Sequence, residues 1–483
     1  MKIIDRYLRQ WLPELKVKPE KIVSALTLTG SFARVIKDDE ETIYDIEVGR
    51  NRGDVLGYYG VARDLSVYFQ TKLSIRAIKP LLAGQGSLPI EIKTDKVKRL
   101  IAYRISGLKN KTSPAWLKKF LNLQEINSVN TLVDLTNFMM LWHGVPCHAF
   151  DSQKAKRLIW EINQNKYADF TTLDDTKVLL SKDNLVVSDG VKPVSLTFIG
   201  SQNSGVELKT TETIVEMAIY DRVQVRRDWR KLKIQTEASV RLEKDLDAEL
   251  VPPAINHLIH LILANCCGEI TGWFDYYPQK IKAPKIKIDW QGASKYAGIK
   301  IPEKTAKDIL TRLGCQIKNN WVIPPTIRKD LALEEDLIEE ILRFYGYDQI
   351  PTDQPIAYKK LPNITPKILL KIEKVKRGLV KQGYDEIRSW PLIKEKYLEK
   401  NGRKPIYTQN NTNEAYPVLR NSILCSLKQQ KEQYDRLKVP GLKFFEIGKI
   451  FYQKNGQYQE KSALGTYYQG KYKEIDLEAD ERG

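Results

Sequence analysis

The chain has 483 residues, 42% of them hydrophobic, and a formal net charge of +18. That length and apolar content suffice for three or four packed domains, and no apolar run is long enough to span a membrane. A pI of about 9.3 favours an anionic partner, nucleic acid foremost. The cysteines, Cys147, Cys266, Cys267, Cys315 and Cys425, form no C-x-x-C pair, which excludes the usual structural zinc spacing. Together with a charged start that lacks a signal peptide's apolar core, they fit a reducing cytoplasm.

Residues 1–85 form the first expected unit. Ile43–Val48 reads as a strand and Gly60–Phe69 as a helix, and Asn51, Arg52 and Asp54 lie in the loop between them. Local polar bonds are the default for such a helix-entry loop. Gly84-Gln85-Gly86 lacks the strand–loop–helix context of a phosphate loop and reads as a linker turn.

Residues 90–275 form the second. Ser113 and Pro114 start a helix with Trp116, Leu117, Phe120 and Leu121 on one face. Within Asn127–Asp151, Val133 and Leu135 predict a strand leading into a helix that Gly144 and Pro146 end. Cys147 and His148 are neighbours, but adjacent side chains rarely face each other and no orienting acid is evident, so a thiol nucleophile is not expected. His148, just after a Gly-x-Pro turn, reads as a hydrogen-bonded structural residue. Lys156–Glu161, Lys177–Ser181, Asn184–Ser188 and Lys192–Phe198 alternate short apolar runs with turns, a strand-rich pattern. Glu216 interrupts the apolar strand Thr213–Tyr220. A buried carboxylate is costly without partners, so it is either satisfied in the core or waits for a ligand hydroxyl or amine. Arg226, Arg227, Arg230 and Lys231 suit phosphate. Thr236–Ser239 reads as a helix cap, with one helix running on through His257 and His260. Those two could ligate zinc, but no third ligand is near in sequence and a packed helix face is the plainer reading.

Residues 283–354 form the third unit. Pro302–Leu313 is a helix closed by Gly314, Asn319–Asn320 a hairpin turn, and Pro324 and Pro325 stop the strand Gln316–Ile323. A helix then starts near Leu333, with Leu337, Ile338, Ile341, Leu342 and Tyr345 facing a core and Gly346 as its cap. Asp336, Glu339 and Glu340 occupy its other side, with Asp330 just upstream. The spacing fits a solvated face whose acids suit the helix dipole. It also fits a hard cation such as magnesium or the basic groups of a partner. In the fourth unit, 359–483, Pro366 starts a helix with a buried stripe of Ile368, Leu369, Ile372, Val375, Leu379 and Val380 among lysines and arginines.

These stretches resemble the beta subunit of bacterial phenylalanyl-tRNA synthetase. The matching motifs are V-D-x-T-N from Val133, G-x-P-x-H-A-F-D from Gly144, the isolated strand glutamate, and T-E-A-S-x-R-x-E-K from Thr236. They continue with R-x-D, E-E-D-L-I-E-E and R-x-Y-G-Y-D-x-I-P across Arg328–Pro351, then GYDEI, LRNSIL and FFEIGKIF. The resemblance implies an α+β multidomain chain. Its parts are a strand-rich tRNA-editing domain, a small α+β domain similar to DNA-binding modules, and a shortened, non-catalytic relative of the antiparallel class II synthetase core. It implies magnesium ligands at Asp330, Asp336, Glu339 and Glu340. It also implies an editing site for tyrosyl-tRNA at His148, Gly200, Glu216, Thr236 and Ala238, where Glu216 would accept the tyrosine hydroxyl. Neither F-R-x-E nor G-x-G-x-x-R is present. ATP and phenylalanine are therefore expected on a separate alpha subunit, in a cytoplasmic heterotetramer of two alpha and two beta chains acting on tRNA as an aminoacyl-tRNA ligase of protein biosynthesis.

Four departures accompany the resemblance. Gly53 stands where the family has proline. The oligonucleotide-binding domain inserted near Ile36–Thr42 is replaced by KDDEE. Thr197 and Ser201 replace glycines of A-G-x-M-G-G, which predicts a narrowed pocket. Against the family pattern the sequence is expected to stop inside the last family domain, ahead of the anticodon-binding domain, as either a reduced form of the subunit or a truncated product. Two other readings stay open: a free-standing deacylase of mischarged tRNA, and a structural or RNA-binding subunit whose editing has decayed.

Overall fold

Short alternating strands and amphipathic helices give a mixed α/β fold with several sheets. The computed structural model describes residues 1–38, 41–75, 88–350 and 364–477. It divides into two units, Met1–Gln354 and Pro355–Gly483. The Gly84–Gly86 turn and the segment from Pro351 to Pro362 lie outside the described residues.

The first unit begins with a three-stranded sheet in which Glu41–Ile46 lies between Lys2–Ile4 and Ala33–Asp38. Asp38 pairs directly with Glu41, so these strands are close neighbours across KDDEE. The helix Tyr58–Tyr68 starts slightly earlier than its apolar pattern predicts. The preceding loop folds back on it so tightly that a Cβ on Gly60 would lie 1.8 Å from the Asp54 carbonyl oxygen.

A four-stranded antiparallel sheet follows in the order Glu269–Tyr276, Val97–Ser106, Glu212–Tyr220, Cys147–Asp151. The helices Thr131–His143 and Val251–Cys266 pack together beside it. The strand expected around Val133 is absent; those residues form the first turns of Thr131–His143. Asn130 is the reason, because its side chain accepts the Val133 N–H at 3.1 Å and starts the helix. Gly144, at φ +81°, ends it. The single helix expected through His257 is likewise two: Glu237–Leu242 and Val251–Cys266. Pro252 and Pro253 lack backbone N–H groups and fit only a first turn. A second sheet runs Ile199–Gly200, Pro193–Leu196, Leu185–Ser188, Leu158–Ile162, Ile90–Ile92. Its last two strands are parallel.

Further along, the hairpin Gln316–Lys318/Trp321–Ile323 turns at Asn319, at φ +54°. The helices Glu303–Arg312 and Glu334–Tyr345 close a small core with Val322, Leu310, Leu337 and Ile341.

In the second unit, Lys443–Lys454, Gln457–Tyr468 and Lys471–Asp476 form antiparallel hairpins, the first turning at Asn455-Gly456 with positive φ at both residues. Asp385–Glu386 pairs parallel to the first of these strands. The helix Ile423–Arg436 packs on this sheet. The expected buried stripe of Lys367–Lys381 is only half realised. Ile372, Val375 and Leu379 lean on Phe445, Leu464 and Leu477, whereas Leu369 and Val380 are 52% and 56% exposed. Among the described residues no helix is long and apolar enough to cross a membrane.

Candidate functional site

Opposite residues of neighbouring antiparallel strands project to one face of a sheet, with Cβ atoms about 5 Å apart. The register pairs Glu216 with His148, so both face the same side. Above them a cavity of about 550 Å3 is lined by His148, Gly200, Glu216, Thr236 and Ala238, together with Thr197, Ala218, Tyr220 and apolar residues such as Val133, Met140 and Leu242. The five residues expected at an editing site thus come together on one cavity wall. Ala218 and Tyr220 share strand parity with Glu216, a signal that sequence periodicity alone offers.

Each wall has a local cause. Gly200 lies against the His148 imidazole; a Cβ there would come within 2.4 Å of Cε1. Phe150 holds the other side of the ring edge-on, at 4.4 Å between centroids. Thr236 caps Glu237–Leu242: its hydroxyl accepts the Ser239 N–H at 3.1 Å and donates to the Phe198 carbonyl at 3.0 Å. Helix and hairpin turn are thereby tied together. Thr197 and Phe198 form that turn between Pro193–Leu196 and Ile199–Gly200. Neither Thr197 nor Ser201 has a positive φ, so the glycines of the family pattern are not needed for left-handed backbone. Ser201 accepts the Asn203 N–H at 3.2 Å and does not line the cavity. Thr197 does line it.

The electrostatics are those of a largely apolar cavity that holds a few buried polar groups. Burial pushes the Glu216 carboxyl up to about 8, so it is neutral at pH 7. Burial lowers His148 to about 4, leaving a neutral imidazole. Glu216 Oε2, His148 Nε2 and Thr197 Oγ1 are shielded from solvent without a hydrogen-bond partner. This corrects the expectation that His148 is a satisfied structural residue. Cys147 donates to the Thr136 carbonyl at 3.4 Å, and burial, reinforced by Glu216, holds its thiol well above the usual range. It is no nucleophile. His257 meets His143 of the neighbouring helix at 3.1 Å, whereas His260 is exposed, so the packed-face reading holds for His257 and not for His260.

The four carboxylates expected to ligate magnesium are arranged differently. Both oxygens of Asp330 accept from Arg328, at 2.9 and 2.7 Å. Glu340 accepts from Arg343 at 3.0 and 2.6 Å and from Arg328. Asp336 caps its helix, accepting the Ala332 and Leu333 N–H groups at 2.8 Å, and Glu339 is exposed. Among the described residues no group of three or more His, Cys, Asp or Glu is placed to hold a metal. Arg328 and Arg343 occupy the oxygens of Asp330 and Glu340, backbone N–H groups occupy one oxygen of Asp336, and Glu339 stands exposed, so as arranged these residues do not fit magnesium and no step is drawn through it. The arginines extend the cluster instead. Arg343 also reaches Asp64 at 3.0 Å, and Arg52 bridges Asp54 at 2.8 Å and Asp64 at 2.7 Å. Arg63 joins both aspartates.

The tRNA synthetase B5 domain family matches residues 286–347, the B3/4 domain family 96–267, and the phenylalanyl tRNA synthetase beta chain CLM domain 350–482. A phenylalanine–tRNA ligase beta subunit from Clostridium tetani is 29% identical over 96% of this chain and 61% of its own length. One from Aquifex aeolicus is 32% identical over 91% of this chain and 57% of its own. Over nine tenths of its length the chain is similar to phenylalanine–tRNA ligase beta subunits. It spans about three fifths of the length of these curated relatives. The cavity lies wholly inside the B3/4 match. The ion cluster joins the B5 match to Arg52, Asp54, Arg63 and Asp64, which precede all three matches.

Proposed function

We propose that the chain acts as a beta subunit of phenylalanine–tRNA ligase and that its cavity hydrolyses tyrosyl-tRNA. A separate alpha subunit would bind ATP and phenylalanine, in a cytoplasmic heterotetramer of two alpha and two beta chains. In this reading, 90–275 is the editing domain, 283–354 a DNA-binding-like α+β domain, and 359–483 a non-catalytic class II-like domain. Magnesium is not assigned to Asp330, Asp336, Glu339 and Glu340.

The observation that carries the editing role is the unpaired Glu216 Oε2 on a largely apolar cavity. An apolar synthetic pocket cannot strongly reject a ligand that only adds a hydroxyl, so a second site must select that hydroxyl by bonding it. A neutral Glu216 carboxyl can donate to or accept from a phenol without the cost of burying a charge. The neutral His148 imidazole, edge-on to Phe150 and hard against Gly200, has a free nitrogen to orient the attacking water or the terminal ribose. Thr236 holds the hairpin turn that forms the roof. The exposed helix face of Arg226, Arg227, Arg230 and Lys231 supplies phosphate-compatible charge for the tRNA acceptor end.

The test is tyrosyl-tRNA hydrolysis by the alpha–beta complex. Glu216→Ala should lower kcat/KM for the tyrosyl ester about 10- to 100-fold, the worth of one hydrogen bond to a buried polar group, and leave phenylalanine attachment unchanged. Unchanged tyrosyl hydrolysis in that variant contradicts the proposal. Decayed editing, the reading that replacement of glycines by Thr197 and Ser201 would favour, has less behind it, since neither residue strains the backbone and Ser201 is off the cavity.

A further inference from the structure

We infer that Thr197 is a ligand-binding residue of the cavity, its hydroxyl bonding the polar part of an aminoacyl ester in addition to Glu216. This deepens the editing reading and rests on it.

Thr197 is 9% exposed, and its Oγ1 is buried without a partner. The hydroxyls around it are all engaged. Ser195 donates to the Leu196 and Ile199 carbonyls, Ser204 to that of Val194, and Thr236 to that of Phe198. Ser201 accepts a backbone N–H. Leaving one buried hydroxyl unpaired costs about 1–3 kcal/mol, and a rigid turn cannot relieve that cost by moving. The turn is rigid for two reasons: the Leu196–Ile199 pairing closes it, and the Thr236 hydroxyl pins the Phe198 carbonyl. Threonine is also unstrained here, since its φ is not positive. The side chain is therefore held at the cavity wall with its donor and acceptor capacity unspent. The wall already contains two other unpaired polar atoms, from Glu216 and His148. A glycine at this turn could offer a ligand only its backbone and more space. Threonine offers a hydroxyl, and the partner it awaits is a nitrogen or oxygen of the aminoacyl group.

The experiment is equilibrium binding of a non-hydrolysable amide analogue of tyrosyl-adenosine to the full chain and to Thr197→Val, Thr197→Ser and Glu216→Ala. Valine keeps the shape and removes the hydroxyl; serine keeps the hydroxyl and removes a methyl group. The expected result is about tenfold weaker binding for Thr197→Val and near-parental binding for Thr197→Ser. Equal binding by Thr197→Val and the parent, while Glu216→Ala still binds weakly, overturns the role of Thr197 and leaves the editing reading intact. Thr197→Ser weakened as much as Thr197→Val also overturns it, since volume alone then matters. Absence of binding by the parent, or binding by Glu216→Ala as tight as by the parent, overturns both readings.

Discussion

Glu216 is the residue on which the site turns, and its protonation state is testable. Burial raises its folded pKa to about 8, above the unfolded value of about 4.3. Between those values the unfolded chain is ionised and the folded chain is not, so Glu216 costs stability that grows as pH rises through this window. Glu216→Gln imitates the neutral acid. It is expected to raise the melting temperature at pH 7 and to retain most tyrosyl-tRNA hydrolysis, in contrast to Glu216→Ala. Thermal scans and deacylation assays check this; a glutamine variant as inactive as the alanine variant would show that the carboxyl works as an anion. The groups near Glu216 are His148 across the strand pair and Cys147 and Tyr220, whose pKa values burial raises and Glu216 raises further. Glu216 was legible in the sequence because a lone acid in an apolar strand is conspicuous. The unsatisfied state of His148 was not, because its cause is the pairing of two distant strands and the approach of Gly200 from a third.

Elements were predicted well where one residue governs a boundary and poorly where two signals compete. Gly346, Pro366 and the Thr236 cap placed their helices correctly. Val133 and Leu135 look like strand residues by composition, but the Asn130 cap overrides β propensity. The helix Lys367–Lys381 has the period of a buried stripe, yet only half of that stripe finds a partner within its own unit, and periodicity does not say how many neighbours a face will have. Thr236 joins two elements through one hydroxyl. Thr236→Val removes both the helix cap and the tie to Phe198, and is expected to cost about 1–2 kcal/mol of stability and to raise KM for tyrosyl-tRNA. Denaturant unfolding with kinetics on the same variant checks this; lost stability with unchanged KM would restrict Thr236 to capping.

Over the whole of the first unit, four arginines and four carboxylates form one buried cluster: Arg52, Arg63, Arg328 and Arg343 with Asp54, Asp64, Asp330 and Glu340. Its charges balance, and it links parts of the chain 279 residues apart at Arg343–Asp64. The spacing of these carboxylates left a solvated face, a cation or a partner's basic groups open and the family resemblance implied a metal, because nothing local reveals that arginines from two regions converge there. Burial opposes ionisation of Asp54, but Arg63 and Arg52 overcome it and hold the carboxyl at about 2; Asp64 is held low against burial by Arg52, Arg343 and Arg63. Depressed folded pKa values mean that this stability is complete above the unfolded value of about 3.9 and is lost as pH falls through the folded values. Thermal stability should therefore fall steeply below about pH 4. Asp64→Asn should cost about 3–5 kcal/mol at pH 7 by leaving buried arginines uncompensated, and should flatten that acid slope. Melting curves from pH 2 to 7 test both, and an unaltered slope would show that the cluster does not govern acid unfolding.

The most direct measurement of the subunit reading is the mass, by light scattering, of material purified after co-expression with the alpha subunit encoded in the same genome. A stable complex of two alpha and two beta chains is the predicted result. A folded chain that remains alone under those conditions would contradict the account and leave a free-standing deacylase as the reading to pursue.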